Sequence, residues 1–251
     1  PGGPRLEVPF GAAPAAGMTG AFVAGATGYT GREVVRVLRG RGITTWAHVR
    51  PDSPRLAEWR ERFGGLGAEV DATPWEPGAL AARLAALRPG VVFALLGTTP
   101  ARVRRAAEEG TEVGYEAVDY GLTMLLYQAS AVGGAHPRFV YLSSAGVREQ
   151  GGPAYLQVRA RVERELRDGT LPWLSARPSF ITGPDRDEFR AGERIGAALT
   201  DGLLRVVGLI GGGRWRDRYR STTNAVLAAA LVRLAFDPGV MNQVVESEDL
   251  R

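Results

Sequence analysis

Ala21-Phe22-Val23-Ala24 runs straight into Gly25-Ala26-Thr27-Gly28-Tyr29-Thr30-Gly31, and then into REVVRVLRGRG at 32–42. The first piece is a short apolar run of strand character. The last has helical spacing, with Val34, Val35, Val37 and Leu38 able to face a sheet. A strand, a glycine-rich turn and a helix in direct succession form the opening unit of a parallel α/β sheet.

The rest of the chain repeats that alternation. Strands are expected at Thr44–Arg50, Ala68–Ala72, Val91–Leu96, Arg138–Leu142 and Trp173–Arg177. Helices are expected at Arg55–Phe63, Gly78–Leu87, Val113–Val132 and Leu156–Arg167. The uninterrupted apolar run Val91–Leu96 suits a parallel strand covered on both faces. The predicted fold is a doubly wound parallel sheet of Rossmann type, with a small irregular C-terminal substrate region beginning at Pro178. Residues 1–17, PGGPRLEVPFGAAPAAG, read as a flexible leader or expression remnant, with Met18 a plausible natural start. Residues 18–251 read as one nucleotide-binding domain, its substrate side contributed mainly by 178–251.

Composition narrows the chemistry. The chain has 251 residues, enough for one sizeable core, and no cysteine, which removes thiolate metal sites and thiol nucleophiles. All 31 basic residues are arginine, so Schiff-base chemistry and a P-loop lysine are excluded. The net charge is +4, but arginines alternate with carboxylates along Arg159–Arg167, as on a solvated helix face, and no nucleic-acid partner is expected. No apolar run approaches the roughly 18 residues of a membrane span, and no signal peptide is apparent, so the expected location is cytoplasmic. His48 and His136 lack an acidic cluster at metal spacing, and no metal site is expected. Ser144 does not lie in a GxSxG elbow, which argues against a hydrolase. GLIGGGRWRDRYR, at Gly208–Arg220, reads first as a loop with solvated charge and second as a lid or anion contact.

Between a strand and a helix, three glycines have distinct uses. Gly25 permits the tight turn, Gly28 lets the backbone approach a pyrophosphate, and Gly31 lets helix and strand pack closely. The helix N-terminus adds N–H groups and a favourable dipole for phosphates. Thr27, Tyr29 and Thr30, within the turn, join the glycines as candidate cofactor contacts. GATGYTG resembles the fingerprint of extended and atypical short-chain dehydrogenase/reductases, whose spacing is GxxGxxG. Where an acidic residue would take a ribose 2′-hydroxyl, the second strand ends in Arg50, which suits a 2′-phosphate. The expected cofactor is therefore NADP(H) ahead of NAD(H), and Arg55 or Arg32 could share the role of Arg50. By the same resemblance Asp71 stands beside the adenine, and Gly97-Thr98-Thr99 lines the inner half of the cofactor.

In that superfamily a strand-end serine, a tyrosine and a lysine four residues later form the reaction centre. This chain offers Ser144 (or Ser143), Tyr155 and, at the lysine position, Arg159. Tyr155 and Arg159, at i and i+4, share a helix face. LLGTTPARVRRAAEEG, YLSSAGVREQGGPAYLQVRARVERELRD and LPWLSARPSFITGPDRDE together resemble the Tat-interactive-protein type of atypical short-chain reductase, over about Ala21 to Pro238. The resemblance implies NADPH binding, Tyr155 as proton donor or acceptor, Ser144 orienting the substrate oxygen, and Arg177 as a further cofactor contact. Val118-Asp119 resembles the Val-Asp of the family's inner helix, where many relatives carry asparagine. The departure is Arg159, which keeps the lysine's charge but brings a bulkier fork.

The leading expectation is hydride transfer between NADP(H) and a small carbonyl or alcohol. The second is a non-catalytic NADPH-sensing regulatory protein that meets a protein partner or a second copy. The third is a sugar-nucleotide epimerase or dehydratase, which usually needs more substrate domain than follows Pro178.

Overall fold

A computed structural model of the protein describes residues 20–98, 108, 114–179, 181–182 and 222–250. The expected leader, Thr99 and the Gly208–Arg220 segment lie outside the described residues.

Side-chain alternation along the strands sorts the core into two layers, as a doubly wound sheet demands. The strands are β1 (Gly20–Ala24), β2 (Thr44–His48), β3 (Glu69–Asp71), β4 (Val91–Ala94), β5 (Arg138–Leu142), β6 (Trp173–Arg177) and β9 (Gln243–Glu246), with a short pair β7 (Ile181–Thr182) and β8 (Thr222–Thr223). The helices are α1 (Tyr29–Gly40), α2 (Leu56–Gly65), α3 (Pro77–Leu87), α4 (Thr123–Val132), α5 (Ala154–Asp168) and α6 (Asn224–Phe236). Val23, Val91, Phe93 and Val140 point to the layer holding Val34, Val35 and Leu38 of α1, Trp59 and Phe63 of α2, and Leu227 and Leu231 of α6. Phe22, Val92, Ala94, Phe139 and Tyr141 point to the opposite layer, against Leu80 and Leu84 of α3, Leu126 and Tyr127 of α4, and Val162 and Leu166 of α5.

The larger sheet runs in the order β3-β2-β1-β4-β5-β6-β9, every neighbour parallel. Strand order reverses between β1 and β4, where Val23 lies opposite Ala47 on one side and Phe93 on the other. The crevice outside the carboxyl ends of the strands at such a switch point is the usual ligand position in sheets of this kind.

Several elements differ from the sequence reading. The helix expected over Val113–Val132 is not uniform: Tyr115–Leu122 is π-helical and only Thr123–Val132 is α-helical, with Val113 outside the described residues. β2 and β4 end earlier than expected, leaving Val49, Arg50, Leu95 and Leu96 in the loops that enter the crevice. The C-terminal region is not irregular across 222–250. There α6 packs on α1 and β9 extends the sheet beside β6, so this segment completes the core. Thr223 caps α6 by accepting a bond from the Val226 amide (3.3 Å), and the buried Arg138 holds its far end. Nη1 of Arg138 donates to the carbonyls of Ala235 (2.8 Å) and Asp237 (2.7 Å), a cation at a helix C-terminus.

Candidate functional site

The turn after β1 is built from backbone. Gly25 has φ +79°, and a Cβ there would strike the Leu95 carbonyl of the next strand's loop. Gly28 is exposed and extended, its amide donates to the Gly25 carbonyl (3.0 Å), and it caps α1 with no side-chain bond to the first-turn amides. Gly31, in the first turn of α1, presses on the Gly25 carbonyl so closely that any side chain would collide with backbone. Thr30 is buried, whereas Thr27 and Tyr29 are half-buried at the rim. The start of α1 therefore faces the crevice with bare backbone amides and the positive end of its dipole, an arrangement that favours an anion. Side chains at Gly25 and Gly31 would collide with backbone and distort the turn, whereas the exposed Gly28 leaves the first amides of α1 uncovered. A bare backbone of this shape fits a dinucleotide pyrophosphate.

On the β2–β3 side, Arg50 stands two residues beyond β2 and is exposed, its nearest acid the exposed Asp52 at 3.8 Å. Such a surface pair holds a side chain weakly. Asp71, the last residue of β3, is buried and fully engaged. Its carboxylate accepts from Arg83 Nε (2.5 Å) and from the Thr73 amide (3.0 Å). Burial alone would raise its pKa, but these bonds outweigh burial and hold it below the ordinary aspartate value. The side chain that resemblance places beside the adenine thus also anchors α3 to β3.

Across the crevice, the structure joins four segments at one point. Asp119, 1 % exposed, accepts from the Thr98 amide after β4 (3.0 Å) and from Nη2 of Arg159 on α5 (3.0 Å). Nη1 of Arg159 donates to the Leu142 carbonyl at the end of β5 (2.6 Å). Gly97 lies against this pair, with room for a Cβ only 3.2 Å from Arg159 Nη2 and 3.5 Å from Asp119 Oδ1. Burial raises the Asp119 carboxyl above its usual range despite the opposing pull of Arg159 and the Thr98 amide. Tyr155 lies one turn before Arg159, half-buried, with its ring 5.9 Å from that of Tyr115. Burial, then the charge of Asp119 and the neighbouring Tyr155, push the Tyr115 phenol up.

The two serines after β5 differ. Among the described residues the buried Ser143 Oγ has no hydrogen-bond partner, whereas Ser144 is half-buried and its Oγ donates to the Ala145 carbonyl over a long 3.3 Å. Tyr141 is fully buried, and burial raises its pKa above the phenol norm against the opposing pull of Arg159.

Arg177, expected as a cofactor contact, is occupied elsewhere. Its Nε and Nη2 bond Glu163 (3.0 and 2.5 Å) and its Nη1 bonds Glu246 (3.0 Å). Glu163 is buried and also accepts from Ser175 Oγ (2.8 Å). This network ties α5, β6 and β9 together.

Sequence reasoning placed Gly25, Gly28 and Gly31 in one turn, but named Gly97 and Thr98 separately from Arg159, which the structure brings together. It passed over Tyr115, and over Asp119 as the group joining Thr98 to Arg159. Asp119 is the one buried residue of Tyr115–Leu122, and the sequence carried no periodic signal that singled it out. Among the described residues there is no group of three potential metal ligands, and no helix long and apolar enough to cross a membrane.

Solved structures of similar fold include a short-chain dehydrogenase/reductase-family oxidoreductase from Burkholderia thailandensis (20% identity, TM-score 0.63, covering 93% of this chain and 91% of that one). Acetoin dehydrogenase from Enterobacter cloacae is similar at 16% identity and TM-score 0.61 (94% and 96%). UDP-glucose 4-epimerase from Thermotoga maritima, solved with UDP-glucose, is similar at 17% identity and TM-score 0.60 (90% and 75%). At these identities the likeness is one of fold. No protein of curated function matches the sequence. The sequence does match the NAD(P)H-binding family over residues 25–202, from the first glycine of the turn past the Ser–Tyr–Arg segment. The chain belongs to the NAD(P)H-binding family.

Proposed function

We propose that the chain is an NADP(H)-dependent oxidoreductase of the atypical short-chain type, akin to the Tat-interactive-protein reductases, acting on a small carbonyl or alcohol. The observation that carries this reading is the cluster at the carboxyl ends of β4 and β5. There Arg159 reaches the Leu142 carbonyl beside Ser143-Ser144, with Tyr155 one turn away on the same helix.

In this reading the start of α1 holds the pyrophosphate, and the exposed Arg50 receives the 2′-phosphate. Gly97 and Thr98 line the inner half. The bound nicotinamide supplies or accepts the hydride. Ser144 orients the substrate oxygen, and the Tyr155 hydroxyl gives that oxygen its proton during reduction, leaving the alcohol and oxidised cofactor; in the reverse direction it takes the proton back, leaving the carbonyl and reduced cofactor. Arg159 contributes positive charge beside the tyrosine and the cofactor ribose.

One observation favours a second reading, a non-catalytic NADPH sensor. Both terminal nitrogens of Arg159 are already engaged by Asp119 and Leu142. An epimerase or dehydratase ranks third; it shares the fold and the glycine turn. The deciding experiment follows NADPH oxidation with a panel of small aldehydes and ketones, using the parent and Tyr155→Phe. The oxidoreductase reading expects turnover that falls at least about 100-fold in Tyr155→Phe with NADPH affinity kept. Cofactor binding without turnover on any carbonyl would favour the sensor.

A further inference from the structure

We propose that Asp119 is a positioning residue, clamping the Arg159 guanidinium and the loop after β4 into one unit at the nicotinamide end of the site. Its two carboxylate oxygens serve two different segments, Oδ2 the Thr98 amide and Oδ1 the Arg159 fork. Arg159 in turn reaches the Leu142 carbonyl with its other terminal nitrogen, so the end of β5 joins the same unit. Gly97 lies against both partners, so that a side chain there would press on Arg159 Nη2 at 3.2 Å and on Asp119 Oδ1 at 3.5 Å.

The arrangement has a cost that a purely structural contact would avoid. Replacing buried ion pairs with apolar side chains is often neutral or stabilising, so a pair retained here is better explained by what it orients. Asp119 is also carried on the π-helical segment Tyr115–Leu122, and such turns are rare and concentrate at functional sites. The planar fork presents a separate nitrogen to each acceptor, Nη2 to Asp119 and Nη1 to the Leu142 carbonyl, whereas a lysine would present one nitrogen to both. Asp119 and Arg159 therefore form a matched pair, and Arg159 works only while Asp119 holds it.

The test uses the full chain and the near-isosteric variants Asp119→Asn and Arg159→Gln, singly and combined, with Asp119→Ala for the backbone contact. Hydrogen exchange at the Thr98 amide, read by NMR without cofactor, should accelerate about ten-fold in Asp119→Ala and stay near the parent rate in Asp119→Asn, which keeps an acceptor. NADPH affinity, by fluorescence titration, closes a double-mutant cycle. Arg159→Gln should weaken binding about ten-fold in the parent and less than two-fold in the Asp119→Asn background. An equal effect of Arg159→Gln in both backgrounds would overturn the proposal, as would unchanged Thr98 exchange in Asp119→Ala. The affinity arm rests on the oxidoreductase reading. A parent that fails to bind NADPH overturns that reading, and Thr98 exchange then decides the clamp by itself.

Discussion

Gly31→Ala should destabilise the protein, although alanine is the better helix former. Gly31 lies within α1, where the exchange for alanine would ordinarily gain up to about 1 kcal/mol. Here the new Cβ would lie 2.9 Å from both the Gly25 carbonyl carbon and Ala26 Cα, roughly 0.6 Å inside normal carbon contact. Its closest neighbour is the Gly25 carbonyl oxygen, itself fixed by accepting the Gly28 amide. All three atoms are backbone and cannot swing aside, so α1 must lift off the turn. Overpacking of that kind costs about 1–3 kcal/mol, which exceeds the propensity gain. Gly40 supplies the internal control. It is the last residue of the same helix, and a Cβ there meets nothing within 4 Å, so Gly40→Ala should be neutral or stabilising. Each kcal/mol corresponds to about 2–4 °C for a domain of this size, so the two variants should melt on opposite sides of the parent. Urea unfolding should give the same order. If Gly31→Ala raises the melting temperature as much as Gly40→Ala, the close approach of helix and turn is not real.

Two further outcomes follow from buried charges. Arg138→Met removes the cation that three carbonyls at the end of α6 share, at Leu234, Ala235 and Asp237, and should cost about 2–3 kcal/mol in urea unfolding. An unchanged midpoint would show that α6 needs no such anchor. Asp71 predicts a pH dependence with a definite sign. Its folded-state pKa is depressed, so its stabilising contribution is present above the ordinary aspartate pKa of about 3.9 and is lost as pH falls through that value toward the folded one. Asp71→Asn should therefore unfold more easily than the parent at pH 7, and the gap should narrow steadily as the pH falls below about 4. A gap that persists undiminished in acid would place its origin outside the Asp71–Arg83 pair.

Much of the architecture was legible because local patterns and global topology agree in the first 180 residues. The turn at Gly25–Gly31, the alternating strands and the amphipathic α1 each carry a period that only one arrangement satisfies. The π turn at Tyr115–Leu122 was not legible, because a one-residue expansion of a helix leaves the hydrophobic spacing almost intact. β9 is four residues long, too short for periodicity to register, and α6 is apolar on nearly every side because it is buried between α1 and the sheet. Arg177 illustrates a different limit. Its partners Glu163 and Glu246 lie 14 and 69 residues away, and nothing local distinguishes an arginine facing a cofactor from one sealed in an ion network. Arg159 was legible as a position, but its engagement was not, since Asp119 lies 40 residues away.

The central claim, a dinucleotide seated on the turn at Gly25–Gly31, is tested most directly by calorimetric titration of NADPH into the parent and into Gly28→Val. Gly28 is suited to this because its φ is −71° and a Cβ there meets only the Gly25 carbonyl, at 3.2 Å. The variant should fold, melting within about 4 °C of the parent, while its side chain covers the amides at the start of α1. The account predicts saturable binding of one NADPH per chain in the parent and none detectable in folded Gly28→Val. Equal affinity in the two proteins, or no binding by the parent, would contradict it.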